Sequence, residues 1–328
     1  MRSLLMLLTD FPLFHQTAFI NGEWISGEQH IRHRVENPFD GSEIGSVPQL
    51  TTAEVHAAIA GAEAAQAQWR KQTADTKAKV LRRWYELIEQ YHESLATLLT
   101  LEQGKPLAEA KGEIHYAAID GVMVAKFRNA GQTCVCANRI YVHDAVYDQF
   151  VAKLVDRVSK LKVGNGLDEG VNIGPLINDA AVAKVTSHII DAQSKGAKVV
   201  FGELPQAGSR LFQPHILTEV TDEMRVASEE TFGPLAALFR FSSEQEVIER
   251  ANATDSGLAA YCYTQSLSRA WRMSEALEAG IVGINEGLIS TTLAPFGGIK
   301  ESGLGREGAK HGLEEYLEVK YTLMGGLA

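Results

Sequence analysis

The chain has 328 residues, ample for two domains with a sizeable core, and its 45% hydrophobic and 22% charged content is that of an ordinary soluble globular protein. A formal net charge of -10 with no basic patch to offset it excludes a nucleic-acid partner or an anionic membrane surface. Three cysteines, two of them one residue apart, exclude a disulfide framework and fit a reducing compartment, with the cytoplasm as the expectation.

The opening MRSLLMLLTD has only the leucine run of a signal peptide. The run is short, Asp10 closes it and no small-residue cleavage site follows, so it reads as a terminal segment. No stretch approaches the roughly 20 apolar residues of a membrane span. Residues 18–25 predict two short strands around Asn21-Gly22, a strong hairpin signal. Turn signals at Asn37-Pro38 and Asp40-Gly41 precede a strand over 43–47. Thr51 and Glu54 stand at capping-box spacing and predict a helix to about residue 71. Val80, Trp84, Leu87, Ile88 and Tyr91 share one face of a second helix over 76–91. A third runs to 101, before Gly104-Lys105-Pro106, and a fourth covers 106–118, with proline in its first turn.

Beyond residue 139 strands and helices alternate. Strands fall at 140–142, 197–201, 216–220, 235–241, 258–263 and 281–285, and helices at 146–161, 179–195, 244–252 and 268–279, with a glycine-rich connection over 164–174. This alternation argues an α/β fold built on a largely parallel sheet with helices on both faces. The tail, 316–324, reads as one more strand, an ordinary edge on the residues alone.

Between the two patterns lies FRNAGQTCVCANR, residues 127–139. A nucleophilic cysteine needs its sulfur at the mouth of a cleft, with backbone N–H groups or cations nearby to favour thiolate. This stretch supplies a small-residue turn at Ala130-Gly131 before Cys134, with Arg128 and Arg139 flanking. From the residues alone, Cys134 is either that nucleophile or one more buried thiol. Two further strings stay open in the same way. Glu229 to Pro234, EETFGP, is either a ligand-binding turn or a solvated acidic one. Arg128 is either a bidentate carboxylate receptor or a salt-bridge arginine. The string GLGREG at 303–308 satisfies GxGxxG, yet it follows no hydrophobic strand and lies too near the end of the chain for a βαβ unit. Cys134, Cys136 and His143 lack a second ligand pair at zinc spacing, so no metal is expected. Asn252-Ala253-Thr254 fits a glycosylation sequon, with nothing to indicate secretion.

FRNAGQTCVCANR, EETFGP, PFGGIKESGLGRE and, further upstream, INGEW, ENPFDGSEIG and TLEQGKPLAEAKGEI together resemble the aldehyde dehydrogenase superfamily. The cysteine string is similar to that of its succinate-semialdehyde branch. The resemblance implies an aldehyde-dehydrogenase-like catalytic domain over 121–311, an N-terminal remnant of the cofactor domain over 1–120, and a C-terminal oligomerisation strand over 312–328 that joins identical subunits. It implies Cys134 as the nucleophile toward a small aldehyde, with NAD or NADP as cofactor. Glu230 would hydrogen-bond the nicotinamide ribose and Phe232 would pack near the nicotinamide ring. Arg128 would hold a distal substrate carboxylate, with Ser290 or Thr291 contributing and Phe296 lining the substrate tunnel. Cys136 is either a small buried residue or the partner of Cys134 in a strained, reversible oxidised link.

The resemblance also implies a gap. In the family, the helix at 106–118 leads into most of the dinucleotide-binding domain before the cysteine string arrives. Here 118–121 passes directly to 122–127, and a segment of roughly a domain's size is lacking. No counterpart is found of the PWNFP, ribose-lysine, GSTxxG or ELGG segments, which carry an oxyanion donor, cofactor contacts and the general base. Three readings follow: aldehyde oxidation to the acid, a catalytically dead fragment that at most assembles with intact subunits, or a cofactor-free, thioesterase-like activity of Cys134. Apolar faces exposed by the gap are expected.

Overall fold

The computed structural model describes residues 14–26, 31–103 and 118–325. The leucine run near the start and the predicted fourth helix, 106–118, lie outside the described residues. The chain divides into two compact units, one formed by residues 1–112 with 162–178 and the other by 113–161 with 179–328.

The first unit begins with an antiparallel hairpin of β1 (Ala18–Ile20) and β2 (Glu23–Ile25), in which Asn21 and Gly22 both take positive φ. That pair of left-handed residues makes the turn whose twist matches the strands, hence the Asn-Gly signal. A second antiparallel pair follows, β3 (Arg32–Glu36) with β4 (Glu43–Pro48), and only β4 was legible in advance. Helix α1 (Thr52–Trp69) starts at the predicted capping box, with the Glu54 N–H donating to Thr51 Oγ1 and the Thr51 N–H donating to Glu54 Oε2. Helices α2 (Ala74–Gln90) and α3 (His92–Gln103) complete it. Ile44 and Leu101 are the buried centre of a small core with Phe14, Val35, Leu98 and Leu167 packed around them. On α2, Val80, Leu81, Trp84 and Ile88 are all exposed.

The second unit opens with α4 (Ala118–Phe127), followed by β5 (Arg139–His143), α5 (Tyr147–Val158) and α6 (Asp179–Ser194). Next come β6 (Lys198–Phe201), β7 (His215–Thr218), the single turn α7 (Arg225–Ser228) and β8 (Leu235–Phe241). The four strands form one sheet in the order β5-β8-β7-β6. β8 runs parallel to both its neighbours, and only β6 is antiparallel. The first five residues of β8, LAALF, are buried throughout, as a strand covered on both faces requires. The Tyr147 hydroxyl on α5 donates to the Leu238 carbonyl of that strand. Beyond it lie α8 (Glu244–Asn252), β9 (Ser256–Gly257), β10 (Ala259–Cys262), α9 (Leu267–Ala276), β11 (Ile281–Ile284) and β12 (Ile299–Lys300). β10 and β11 pair in parallel, and β12 pairs with β9.

The tail forms no strand within this chain. Residues 311–316 form a short 3-10 turn, and 317–325 take no strand in this chain. A strand is defined by its neighbour's hydrogen bonds, and the tail has no such neighbour among the described residues. Its Tyr316, Leu317, Val319, Tyr321, Leu323 and Met324 are exposed.

Candidate active site

The parallel pairing of β5 with β8 brings two loops together, because each enters its strand from the same end. One loop carries Cys134 into β5 and the other, Glu229 to Pro234, leads into β8. The Thr231 N–H donates to Asn138 Oδ1 at 3.1 Å. A Cβ placed on Gly131 would overlap the carbonyl of Gly233. The predicted nucleophile and the predicted cofactor turn are therefore neighbours in space, although about 100 residues separate them in sequence.

The backbone under Cys134 is wound against the usual hand. Asn129, Ala130 and Gly131 take φ of 49°, 55° and 74° in succession, a conformation that costs an L-residue roughly 1–2 kcal/mol each. Both Asn129 and Ala130 are buried, and the Asn129 amide donates to the Gln132 carbonyl. The turn is closed from below by the Ala137 N–H donating to the Ala125 carbonyl. The Tyr261 hydroxyl of β10 donates to the Val135 carbonyl at 2.8 Å. Val135 is buried, and the side chains on either side of it point elsewhere: Cys134 is an exposed free thiol, and Cys136 a half-buried one. Burial pushes the Cys136 thiol up, partly offset by the Lys126 charge and the bonds of Thr133. Its Sγ lies 3.9 Å from the Arg128 carbonyl.

Arg128 is half-buried at the end of α4, and its charge reaches both Cys136 and Tyr261. Glu230 and Phe232 both face outward from their turn, Phe232 at a φ of 50°. Ser290 is exposed on the loop after β11. That loop packs on the start of α4, where a Cβ on Gly287 would meet the Gly121 carbonyl. Phe296 is half-buried and pairs its backbone with Glu307. The structure thus brings the loop of Cys134 and Arg128 beside the turn of Glu230 and Phe232, with the Cys136 thiol half-buried.

Sequence reasoning missed three residues of this neighbourhood. Lys126 is fully buried, and its Nζ has no hydrogen-bond partner among the described residues. Burial drives its pKa down to about 8, against the pull of Cys136 and Glu230. Tyr261 locks the cysteine loop, and the buried His188 lies behind the Glu230 turn. A lysine inside the apolar run VMVAKF was the one available signal, since a charge at a core position is rare unless it is used.

Glu229 is fixed by Arg225, whose Nε and Nη2 donate to it at 2.8 and 2.9 Å. Arg225 and then His188 hold its carboxyl down at about 2, against an ordinary 4.5. A carboxyl depressed in the folded state contributes stability above about pH 4.5 that is lost as pH falls toward 2. Glu229→Gln is therefore expected to melt below the parent at neutral pH, with the difference closing at about pH 2.5. Equal melting temperatures at neutral pH would sink this.

Among the described residues no three His, Cys, Asp or Glu side chains stand together to hold a metal ion, and no helix is long and apolar enough to cross a membrane. Glu230, Phe232 and the Cys134 thiol are all exposed, and a carboxylate such as that of Glu230 offers two acceptors to vicinal hydroxyls.

Comparison with known proteins gives the class of this α/β unit: its relatives are oxidoreductases. The pattern of the aldehyde dehydrogenase family matches residues 24–119 and 115–322. The NADP(+) succinate-semialdehyde dehydrogenase of Escherichia coli is 38% identical, over 98% of this chain and 100% of its own. The glutarate-semialdehyde dehydrogenase of Pseudomonas aeruginosa is 36% identical over the same shares. The crystal structure of an NADP-dependent enzyme from E. coli superposes with a TM-score of 0.92 at 37% identity, covering 96% of this chain and 99% of that one. The chain belongs to the aldehyde dehydrogenase family, whose members use NAD or NADP.

Proposed function

We propose that this chain captures an aldehyde bearing a distal carboxylate, succinate semialdehyde in the first instance, on Cys134 and oxidises it toward the acid. The observation that carries the reading is the exposed Cys134 thiol on a backbone-locked turn next to Glu230 and Phe232. Cys134 Sγ forms a bond to the carbonyl carbon, and its proton passes to solvent. The developing oxyanion meets the Cys134 backbone N–H. Arg128 takes the distal carboxylate through its planar fork. Glu230 and Phe232 hold the nicotinamide ribose and ring, and the bound nicotinamide supplies the hydride acceptor. Water then cleaves the acyl–sulfur bond, and this chain has no counterpart of the family's base for that step. Residues 1–120 are in this reading the remnant of the cofactor domain and 121–311 the catalytic domain. Three unpaired thiols suit a cytoplasmic setting.

The test is the rise in reduced-nicotinamide absorbance with succinate semialdehyde and NADP+ or NAD+. The signal is expected to fall on the order of 10⁴-fold or more in Cys134→Ala. A soluble, folded chain that gives no signal with either cofactor overturns the reading. Hydrolysis of an activated ester without cofactor, lost in Cys134→Ala, would make the activity thioesterase-like.

A specific observation favours a second reading. The alignment with the E. coli relative runs over 481 residues against a chain of 328, and the family match falls in two pieces that meet near residue 117. This supports a chain that lacks part of the cofactor domain and joins intact subunits through 312–328, whose apolar side chains are exposed. Co-purification with a full-length relative, lost when 317–328 are removed, is the outcome expected of it.

A further inference from the structure

The turn that carries Glu230 and Phe232 is gripped from inside by one side chain. His188 of α6 is fully buried, with Nδ1 3.1 Å from Thr231 Oγ1 and Nε2 3.1 Å from Glu229 Oε2. Thr231 and Glu229 are the two residues that flank Glu230. We infer that His188 is a positioning residue for the Glu230–Phe232 turn, fixing the carboxylate and ring that would meet a nicotinamide nucleotide. The inference rests on the proposed function for the identity of that ligand, but the grip on the turn does not.

The grip has one polarity. Glu229 is held ionised by Arg225 and can only accept, so Nε2 carries the ring proton. Nδ1 is then the acceptor for the Thr231 hydroxyl. Burial favours this neutral ring, and the Arg225 and Lys184 charges oppose protonation while Glu229 favours it. Behind Glu229 the clamp continues into α6. Arg225 Nη1 donates to Ser187 Oγ, and the Arg225 N–H to Asp191 Oδ2, itself paired with Lys195. On the far side of the turn the Thr231 N–H is taken by Asn138. Thr231 is thereby pulled inward, and its neighbours Glu230 and Phe232 turn outward. The left-handed φ of 50° at Phe232, unusual for an aromatic residue, is the backbone cost of that arrangement.

The experiment has two arms. The first reads hydrogen exchange of residues 229–234 in the apo chain, for the parent and for His188→Leu, with His188→Asn (which keeps an acceptor toward Thr231) as the conservative variant. The turn is expected to exchange about tenfold faster in the leucine variant, to be partly rescued in the asparagine variant, and β8 amides are expected to stay unchanged. The second arm titrates NADPH by fluorescence against the parent, His188→Leu, Glu230→Gln and the double variant. Each single change is expected to weaken binding about tenfold, and the double variant no further. Unchanged exchange at the turn overturns the inference, as do losses that add in the double variant, since a general structural role gives additive losses. A parent that does not bind NADPH overturns the cofactor reading instead, and the exchange arm still decides whether His188 holds the turn.

Discussion

Lys126→Met is expected to stabilise the chain by up to about 3 kcal/mol at neutral pH. The lysine is fully buried, makes no hydrogen bond through Nζ among the described residues, and has its pKa lowered by burial from 10.5 to about 8. An amine whose folded pKa lies below its unfolded value binds its proton more weakly in the native state. Its cost to folding is present in full below about pH 8 and fades as pH rises toward 10.5. Methionine has a similar reach and no charge, so the advantage of the variant should be largest at neutral pH and nearly gone by about pH 10.5. Urea unfolding at the two pH values measures it. A methionine variant that is less stable at neutral pH, or equally advantaged at both, would refute the account.

Gly131→Ala should have the opposite sign and a larger reach. The φ of 74° already disfavours an L-residue, and the new methyl would collide with the Gly233 backbone, which cannot rotate away as a side chain could. A destabilisation of about 2–5 kcal/mol is expected from the left-handed penalty together with overpacking. The cysteine loop and the Glu230 turn must separate to admit the methyl, so the alkylation rate of Cys134 should change with it. Ala130→Gly, one residue earlier, removes a left-handed alanine and should leave melting within about 1 kcal/mol of the parent. If Gly131→Ala melts like the parent and its thiol reacts at the parent's rate, the close approach of the two loops is not what holds the site.

The local signals in the sequence translated directly. Asn21-Gly22, the Thr51–Glu54 box and the apolar run of β8 each state their conformation within a few residues, because the turn, cap or burial they encode is local. Helix α4 was not legible. It lies beside residues 115–119, where the two pieces of the family match overlap and its motifs gave no guide. The tail, read as a strand at an edge or, by resemblance, completed by another subunit, pairs with nothing among the described residues of this chain. At the site, Cys134, Arg128, Glu230 and Phe232 could be named from their motifs. Their long-range partners could not, since Tyr261 and His188 reach Val135, Thr231 and Glu229 only once the chain has folded. The left-handed run at 129–131 was visible only as small residues around a glycine.

The bond from Tyr261 to Val135 spans 126 positions along the chain, and this sets an order of assembly during translation. A ribosome adding about 5–20 residues per second finishes the sulfur on the order of ten seconds before the phenol that will brace it. For most of that interval the nascent thiol has neither its brace nor the turn that later stands beside it, and the turn at 229–234 is made before the brace.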